Sequence, residues 1–357
     1  MRRKIRVLIV DDSAFMRKVI SDILQSDPYI EVVGTARNGK DALKKRDTLQ
    51  PDVMTLDVEM PLLDGIETLK VIMATNPCPI IMLSSTTKEG AENTLLAMEY
   101  GAIDFVTKTS GSISLDLMTI KAEIIEKVKC AAKVTVLTSS SSMLAESSNE
   151  SLLTPNKHWH KNNSNQRTWQ KLVVIGTSTG GPRALKEVIP RLPKDFPHPI
   201  LVVQHMPAGF TESLANRLNS LSQLTVKEAS HLEELKAGHV YIAPGHCHLK
   251  VEQHQSLLRA NLSQDSPIRG LRPAVDKLFY SLADVDIEEI IAVIMTGMGS
   301  DGTEGLFHLR KSKKVIALAQ SEQTSVVFGM PKVAISSQLI EKVVDLPQIA
   351  HELISLA

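Results

Sequence analysis

Apolar positions along this chain follow two alternating rhythms. Ile5 to Val10 is a short β-type run that stops at Asp11-Asp12. Ser13 then stands ahead of Val19, Ile20, Ile23 and Leu24, which share one face at helical spacing. The alternation repeats. Val32-Val33 is a strand and Gly39-Lys40-Asp41 opens a helix. Val53 to Leu56 is a strand ending at Asp57, and Asp64-Gly65 opens a helix. Ile80 to Leu83 ends at Ser84-Ser85 before a helix from Glu89 to Tyr100. Phe105-Val106 leads to Lys108, and Leu115 to Lys129 forms a closing helix. Five β/α units in series predict a parallel sheet with right-handed crossovers and helices on both faces.

The rhythm then breaks. Residues 131–170 hold eight Ser, four Thr, five Asn and two Gln among 40 positions, with a tetraserine run at Ser139 to Ser142, which predicts a flexible linker. The only tryptophans, Trp159 and Trp169, fall within it. From Lys171 the alternation resumes. Strands are expected at Leu172 to Ile175, Ile200 to Val203, Val240 to Ile242, Leu257-Leu258, Ile290 to Met295 and Val315 to Leu318. Helices are expected at Pro182 to Val188, Phe210 to Leu218, Ala274 to Leu282 and Gly302 to Arg310, with mixed helix to Ala357. The expected organisation is two doubly wound parallel-sheet α/β domains, residues 1–130 and 171–357, joined by the 131–170 linker.

Composition narrows the partners. Lys plus Arg and Asp plus Glu are 40 each, so the formal net charge is zero; a general nucleic-acid or anionic-membrane binder carries a basic excess. No helix-turn-helix or basic recognition stretch follows the linker. Aromatics are 4%, so the core must be built from aliphatic residues, as a buried parallel sheet is. Cys78, Cys130 and Cys247 are too scattered for a disulfide framework or a zinc pattern. Met1-Arg2-Arg3-Lys4 opens like a signal peptide, but the apolar run stops at Asp11, and no stretch reaches the ~18 apolar residues of a membrane span. A reduced, cytoplasmic protein without membrane insertion is expected.

Candidate chemistry sits where strands end. Asp11, Asp12 and Asp57 follow the first and third strands, and ligands of open parallel sheets bind at those carboxyl ends. Three convergent carboxylates repel one another unless a divalent cation joins them, and hard oxygen ligands suit Mg2+. Ser84 and Lys108 add a hydroxyl and an ammonium to the same rim. Together these groups can accept a phosphoryl group, a carboxylate attacking as nucleophile. The block Val-Asp-Asp-Ser, Leu-Asp-Val-Glu-Met-Pro-Leu-Leu-Asp-Gly, Ser-Ser and Phe-Val-Thr-Lys closely resembles the flavodoxin-like receiver domain of bacterial response regulators. That resemblance implies Asp57 as the phosphorylated residue, Asp11 and Asp12 as metal carboxylates, and the Glu59 backbone carbonyl as a further ligand. It also implies Ser84, Lys108 and Phe105 as switch residues, and a histidine kinase as phosphodonor. The family usually places proline after the lysine; Thr109 stands there instead.

In the second half, Val174 to Pro182 reads strand, tight turn, helix, which puts Ser178 at a helix N-terminus beside free N–H groups. Gly176-x-Ser178-x-Gly180 matches the nucleophile-elbow spelling, and a phosphate-binding turn is the competing reading. His205 and Asp301 end two further strands, so Ser178, His205 and Asp301 can meet on one sheet edge as nucleophile, proton carrier and orienting carboxylate. Gly297-x-Gly299-x-x-Gly302, with Glu322 about 20 residues on, spells a dinucleotide fingerprint, but it comes late in its domain. His246 and His248 alternate as two ligands would, without a third at persuasive spacing.

Gly-Thr-Ser-Thr-Gly-Gly-Pro, Gln-His-Met, Tyr-Ile-Ala-Pro-Gly, Arg-Pro-Ala-Val-Asp and Thr-Gly-Met-Gly-Ser-Asp-Gly resemble the catalytic domain of the chemotaxis protein-glutamate methylesterase (CheB) family. The resemblance implies hydrolysis of glutamate methyl esters on methyl-accepting chemoreceptors, deamidation of receptor glutamines, and an oxyanion hole formed in part by the Met298 N–H. It implies no cofactor in this domain. Ser321 stands where the family usually has Asp, and the linker is longer than the family's. A receiver fused to a hydrolase predicts activation by phosphorylation. The alternative is a response regulator whose second domain binds a ligand or protein without catalysis.

Overall fold

The computed structural model describes residues 3–108, 113–134 and 169–357. The chain divides into two compact units, Met1–Pro155 and Asn156–Ala357. The expected linker lies almost wholly outside the described residues, as do Trp159 and Thr109.

In the first unit, strands β1 (Ile5–Val10), β2 (Ile30–Ala36), β3 (Val53–Asp57), β4 (Ile80–Ser84) and β5 (Asp104–Thr107) alternate with helices. These are α1 (Ala14–Gln25), α2 (Gly39–Leu49), α3 (Gly65–Thr75), α4 (Lys88–Glu99) and α5 (Ile113–Ala131). Four helices start where a short polar side chain satisfies an orphan N–H. Ser13 accepts from Met16, Asn38 from Asp41, Asp64 from Glu67 and Thr87 from Gly90. β3 and β4 are buried along their whole length, so both faces are covered by helices. The sheet order β2-β1-β3-β4-β5, all parallel, puts the strand-order reversal between β1 and β3. Asp11, Asp12 and Asp57 end those two strands.

The second unit carries a seven-stranded parallel sheet, ordered β14 (Lys342–Val344), β13 (Lys314–Gln320), β12 (Ile287–Ile294), β6 (Trp169–Thr177), β7 (Ile200–Gln204), β9 (His239–Ile242) and β8 (Thr225–Glu228). Its helices are α6 (Gly181–Val188), α7 (Phe210–Leu221), α8 (Val275–Leu282), α9 (Thr303–Leu309), α10 (Met330–Ser336) and α11 (Leu346–Leu356). The strand order reverses at β6, between β12 and β7. One aliphatic core runs from Leu172 and Val174 on β6 through Ile290, Ala292 and Ile294 on β12 to Leu278 and Phe279 on α8. At ~1.5–3 kcal/mol per large apolar side chain buried, these central strands are the rigid frame for whatever their ends carry.

The structure adds to or departs from expectation at three places. β8 and β14 are short edge strands whose mixed polarity gave no β rhythm, and β14 interrupts what read as mixed helix. β10 (His248–His254) and β11 (Leu257–Ser263) form an antiparallel hairpin outside the parallel sheet. β6 begins at Trp169, two residues before the expected start of the domain. Among the described residues, no helix is long and apolar enough to cross a membrane.

Candidate functional site

At the rim of the first sheet, carboxylate oxygens of Asp11, Asp12 and Asp57 lie within 4.8 Å of one another; Asp11 and Asp57 are buried and Asp12 is exposed. The Lys108 Nζ bridges two of them, at 2.8 Å from Asp11 Oδ2 and 2.6 Å from Asp57 Oδ2. Burial pushes the Asp57 carboxyl up to about 6, against the pull of Lys108. Burial alone would lower the Lys108 ammonium, but its hydrogen bonds to Asp11 and Asp57 raise it above its ordinary value. One ammonium among three carboxylates leaves an excess of negative charge on hard oxygen donors, which fits a divalent cation such as Mg2+.

The other rim residues are placed less directly. Glu59 is exposed; its N–H donates to Asp57 Oδ1 at 3.4 Å and its side chain accepts from Ser85. Ser84 ends β4 as expected, but its hydroxyl is turned toward α4, 3.0 Å from the Gly90 carbonyl. Phe105 is buried, with the Lys127 ammonium 5.2 Å from its ring centre.

At the rim of the second sheet, the adjacent strands β12, β6 and β7 lead to Asp301, Ser178 and His205. Gly180, in the left-handed region at φ +78°, turns the chain from β6 into α6, leaving Ser178 half-buried. A Cβ on Gly180 would lie 2.6 Å from Val326 Cβ, so only glycine fits the turn. His205 Nε2 lies 2.8 Å from Asp301 Oδ2. That leaves Nδ1 as the ring nitrogen on the side away from the carboxylate. Asp301 Oδ2 also accepts from Val275 N at 2.6 Å, while Oδ1 accepts from Asp276 N and Gly302 N, each at 3.0 Å. Burial opposes the Asp301 charge, but the His205 hydrogen bond and charge and the two main-chain N–H groups of Asp276 and Val275 hold its carboxyl below the usual range. An ionised Asp301 paired to His205 is what a proton-carrying imidazole needs.

The Ser178 hydroxyl makes no hydrogen bond to the imidazole among the described residues; main-chain links hold the two residues side by side instead. His205 N donates to Thr177 O at 3.2 Å. Gln204 Nε2 donates to Ser178 O at 3.0 Å and to His205 O at 3.2 Å. Apo hydroxyl–imidazole contacts are often loose and tighten when substrate arrives.

Three of the supporting residues stand inside the quoted motifs with no role given there, and a fourth, Gln320, stands outside them. Gln204 is one of the three. Thr296 ties the two turns, its hydroxyl donating to Thr179 O at 2.9 Å while its carbonyl accepts from Ser178 N at 3.0 Å. Gln320 Oε1 accepts from Thr296 N at 2.8 Å. Asp276 follows from the Asp301 bonds above. Met298 is half-buried in the loop after β12, next to Gly297, whose Cα side abuts Ser178. A Cβ there would lie 2.8 Å from Ser178 Cβ. The glycines that spell a dinucleotide fingerprint therefore include one that packs directly on the serine turn. His248 is buried with Nε2 3.2 Å from Ser266 O, and burial lowers its imidazole, so it reads as a core histidine. Asp11, Asp12 and Asp57 form the one metal-type cluster among the described residues.

A receiver site and a Ser/His/Asp-bearing α/β unit in one chain define a response regulator with an enzymatic output. Residues 173–353 match the family described as CheB methylesterase, and residues 7–119 match the response regulator receiver domain. The chain is 55% identical over 355 residues to a protein-glutamate methylesterase/protein-glutamine glutaminase of Halalkalibacterium halodurans, covering 99% of both chains. The relative of the same name in Bacillus subtilis is 48% identical over 357 residues, covering 98% of both. The crystal structure of the Thermotoga maritima CheB methylesterase catalytic domain is similar with a TM-score of 0.51 and 48% identity, covering 53% of this chain and 99% of that one. The chain belongs to the CheB methylesterase family.

Proposed function

We propose that this chain is a phosphorylation-controlled protein-glutamate methylesterase that also deamidates protein glutamines. Methyl-accepting chemoreceptors are its substrates and a histidine kinase is its phosphodonor. The observation that carries the reading is the 2.8 Å His205–Asp301 pair on the strand ends flanking the Ser178 turn. The receiver occupies residues 1–130 and the linker most of 131–170. The catalytic domain runs to 357 and takes in Trp169 and Gln170, where β6 begins.

In this reading Ser178 Oγ adds to the ester carbonyl carbon as its proton passes to His205. Asp301 stabilises the imidazolium, and the N–H groups around Met298 and the α6 N-terminus receive the oxyanion. The C–O bond to the methoxy group then breaks, and His205 returns the proton so that methanol leaves. Water, deprotonated by His205, hydrolyses the Ser178 acyl ester and releases a glutamate carboxylate. With a glutamine side chain the leaving group is ammonia.

In the receiver, Asp57 is the phosphoacceptor. Asp11, Asp12, Asp57 and the Glu59 carbonyl would hold Mg2+, which neutralises oxygen charge on the transferred phosphoryl group. Lys108 pairs with the Asp57 carboxylate, and Ser84 and Phe105 relay the change. A tenfold activation requires a shift of only about 1.4 kcal/mol between low- and high-activity states.

The test is methanol release from methylated receptor, with and without a phosphodonor, by the full chain, Ser178→Ala and Asp57→Asn. Ser178→Ala should abolish release while Asp57 is still phosphorylated, and Asp57→Asn should lose only the activation. Hydrolysis that persists in Ser178→Ala removes the nucleophile assignment.

A further inference from the structure

We infer that Asp276 and Arg269 are positioning residues for the hydrolytic site, Asp276 fixing the turn that carries Asp301 and Arg269 fixing Asp276. The inference rests on the reading of Ser178, His205 and Asp301 given above. Asp276 sits in the first turn of α8 and grips the Asp301 loop twice. Its N–H donates to Asp301 Oδ1 at 3.0 Å. Its side-chain Oδ1 accepts from Gly302 N at 2.9 Å and Gly305 N at 2.7 Å. α9 has no side-chain cap of its own, because its N-cap is Gly302 at φ +92°. The Asp276 carboxylate supplies the missing acceptor from another element. There is no slack in this contact: a Cβ on Gly305 would lie 2.7 Å from Asp276 Cα.

Asp276 is fully buried, and a buried carboxylate is costly unless it is paired. Its second oxygen, Oδ2, lies 3.3 Å from Arg269 Nη2. The same guanidinium reaches Ser300 Oγ at 3.1 Å and Glu304 Oε2 at 2.5 Å, so it spans both sides of Asp301 along the chain. Arg269 stands in a tight turn closed by reciprocal main-chain bonds between Ile268 and Leu271, at 3.1 and 2.9 Å. Its φ of +51° is in the left-handed region, which a side-chain-bearing residue rarely adopts. An arginine is thus held where the backbone disfavours one, with its head group on three residues around the Asp301 loop. Burial and the neighbouring Asp301 charge raise the Asp276 carboxyl, and the Gly305 N–H and Arg269 work against that rise. Without Arg269, two buried carboxylates would face each other with less compensation.

The full chain is compared with Asp276→Ala, Asp276→Asn and Arg269→Ala in two assays. The first separates kcat from KM for methanol release from methylated receptor. The second follows the His205 Nε2 proton by NMR, because that proton reports the hydrogen bond to Asp301 without substrate. Asp276→Ala should lower kcat about a hundredfold with KM within threefold, and should lose the Nε2 signal. Asp276→Asn keeps an oxygen for Gly302 and Gly305, so it should recover kcat to within tenfold of wild type and restore the signal. A helix cap with no bearing on catalysis would move the melting temperature and leave both readouts alone. Arg269→Ala, on an exposed turn, should fold and lose kcat about fivefold; it and Asp276→Asn decide the question if Asp276→Ala does not fold. The inference is overturned if Asp276→Ala keeps kcat within threefold and retains the signal, if Ala and Asn are equally impaired, or if the loss falls in KM. A wild-type chain that shows the signal but releases no methanol would refute the methylesterase reading, while loss or retention of the signal in Asp276→Ala would still decide the positioning claim.

Discussion

Replacing Asp301 by asparagine changes one atom and should be severe, because neither carboxylate oxygen has room for a donor. Oδ1 accepts from Asp276 N and Gly302 N, and Oδ2 accepts from Val275 N and His205 Nε2. In one orientation the amide nitrogen faces two main-chain N–H groups. In the other it faces Val275 N–H and His205, which forces the imidazole to accept at Nε2 and carry its proton on Nδ1, the nitrogen that Ser178 needs as base. The first leaves two buried donors unsatisfied at ~1–3 kcal/mol each, about 2–6 kcal/mol in all. In a domain of this size each kcal/mol is worth roughly 2–4 °C, so in that orientation the catalytic domain should melt at least about 4 °C lower. Catalysis loses a charge-assisted bond worth ~1.5–3 kcal/mol in the first orientation and the correct tautomer in the second, which predicts a fall in kcat of at least about tenfold. Methanol release and calorimetry on Asp301→Asn read the two effects separately. A variant with kcat within threefold of wild type and an unchanged melt would refute this account of Asp301.

Three further outcomes follow from the same geometry. Gly297→Ala would place its Cβ 2.4 Å from Met330 Sδ and 2.8 Å from Ser178 Cβ; it should cost ~1–3 kcal/mol and lower kcat at least about tenfold while Asp57 phosphorylation, measured with a small-molecule phosphodonor, is unchanged. His198 is buried beside the Phe196 ring, and burial, with a smaller push from Lys171, lowers its imidazole from 6.5 to about 4. Between those values the unfolded chain binds a proton that the folded chain does not, so stability is full above pH 6.5 and is lost as pH falls toward 4, by at most about 3 kcal/mol. His198→Phe should flatten the pH profile of the melt relative to wild type, and superimposable profiles would count against it. Mg2+ at ten times its dissociation constant should stabilise the receiver by about 1.4 kcal/mol, and Asp12→Ala should remove most of that gain; a melt indifferent to Mg2+ in both would set aside the three-carboxylate site.

How much of this was legible in the sequence depends on how many neighbours a feature needs. Strands such as β3, β4 and β7 are buried on both faces and read as nearly continuous apolar runs, so their ends, and the chemistry placed there, could be found by counting. β8 and β14 lie at the sheet edges with mixed polarity, without a run long or regular enough to announce itself; Leu257-Leu258 marked part of β11, but not that it pairs antiparallel with β10 outside the sheet. The site shows the same division. Strand order brings β12, β6 and β7 together, which is why Asp301, Ser178 and His205 share a rim. The residues that fix them were invisible as such, because their partners are distant in sequence: Thr296 acts on Thr179, and Gln204 on Ser178. Nor does a strand-end position say where a hydroxyl points, as Ser84 shows by bonding Gly90 in α4.

The central claim is that Ser178 carries the acyl group. Rapid quenching of the enzyme with a methylated receptor peptide, followed by mass spectrometry of the digested enzyme, looks for that bond. A glutamyl adduct on the peptide containing Ser178, formed at the rate of the methanol burst and absent in Ser178→Ala, is the predicted result. Turnover with no adduct at any stage, or an adduct on another residue, would contradict it.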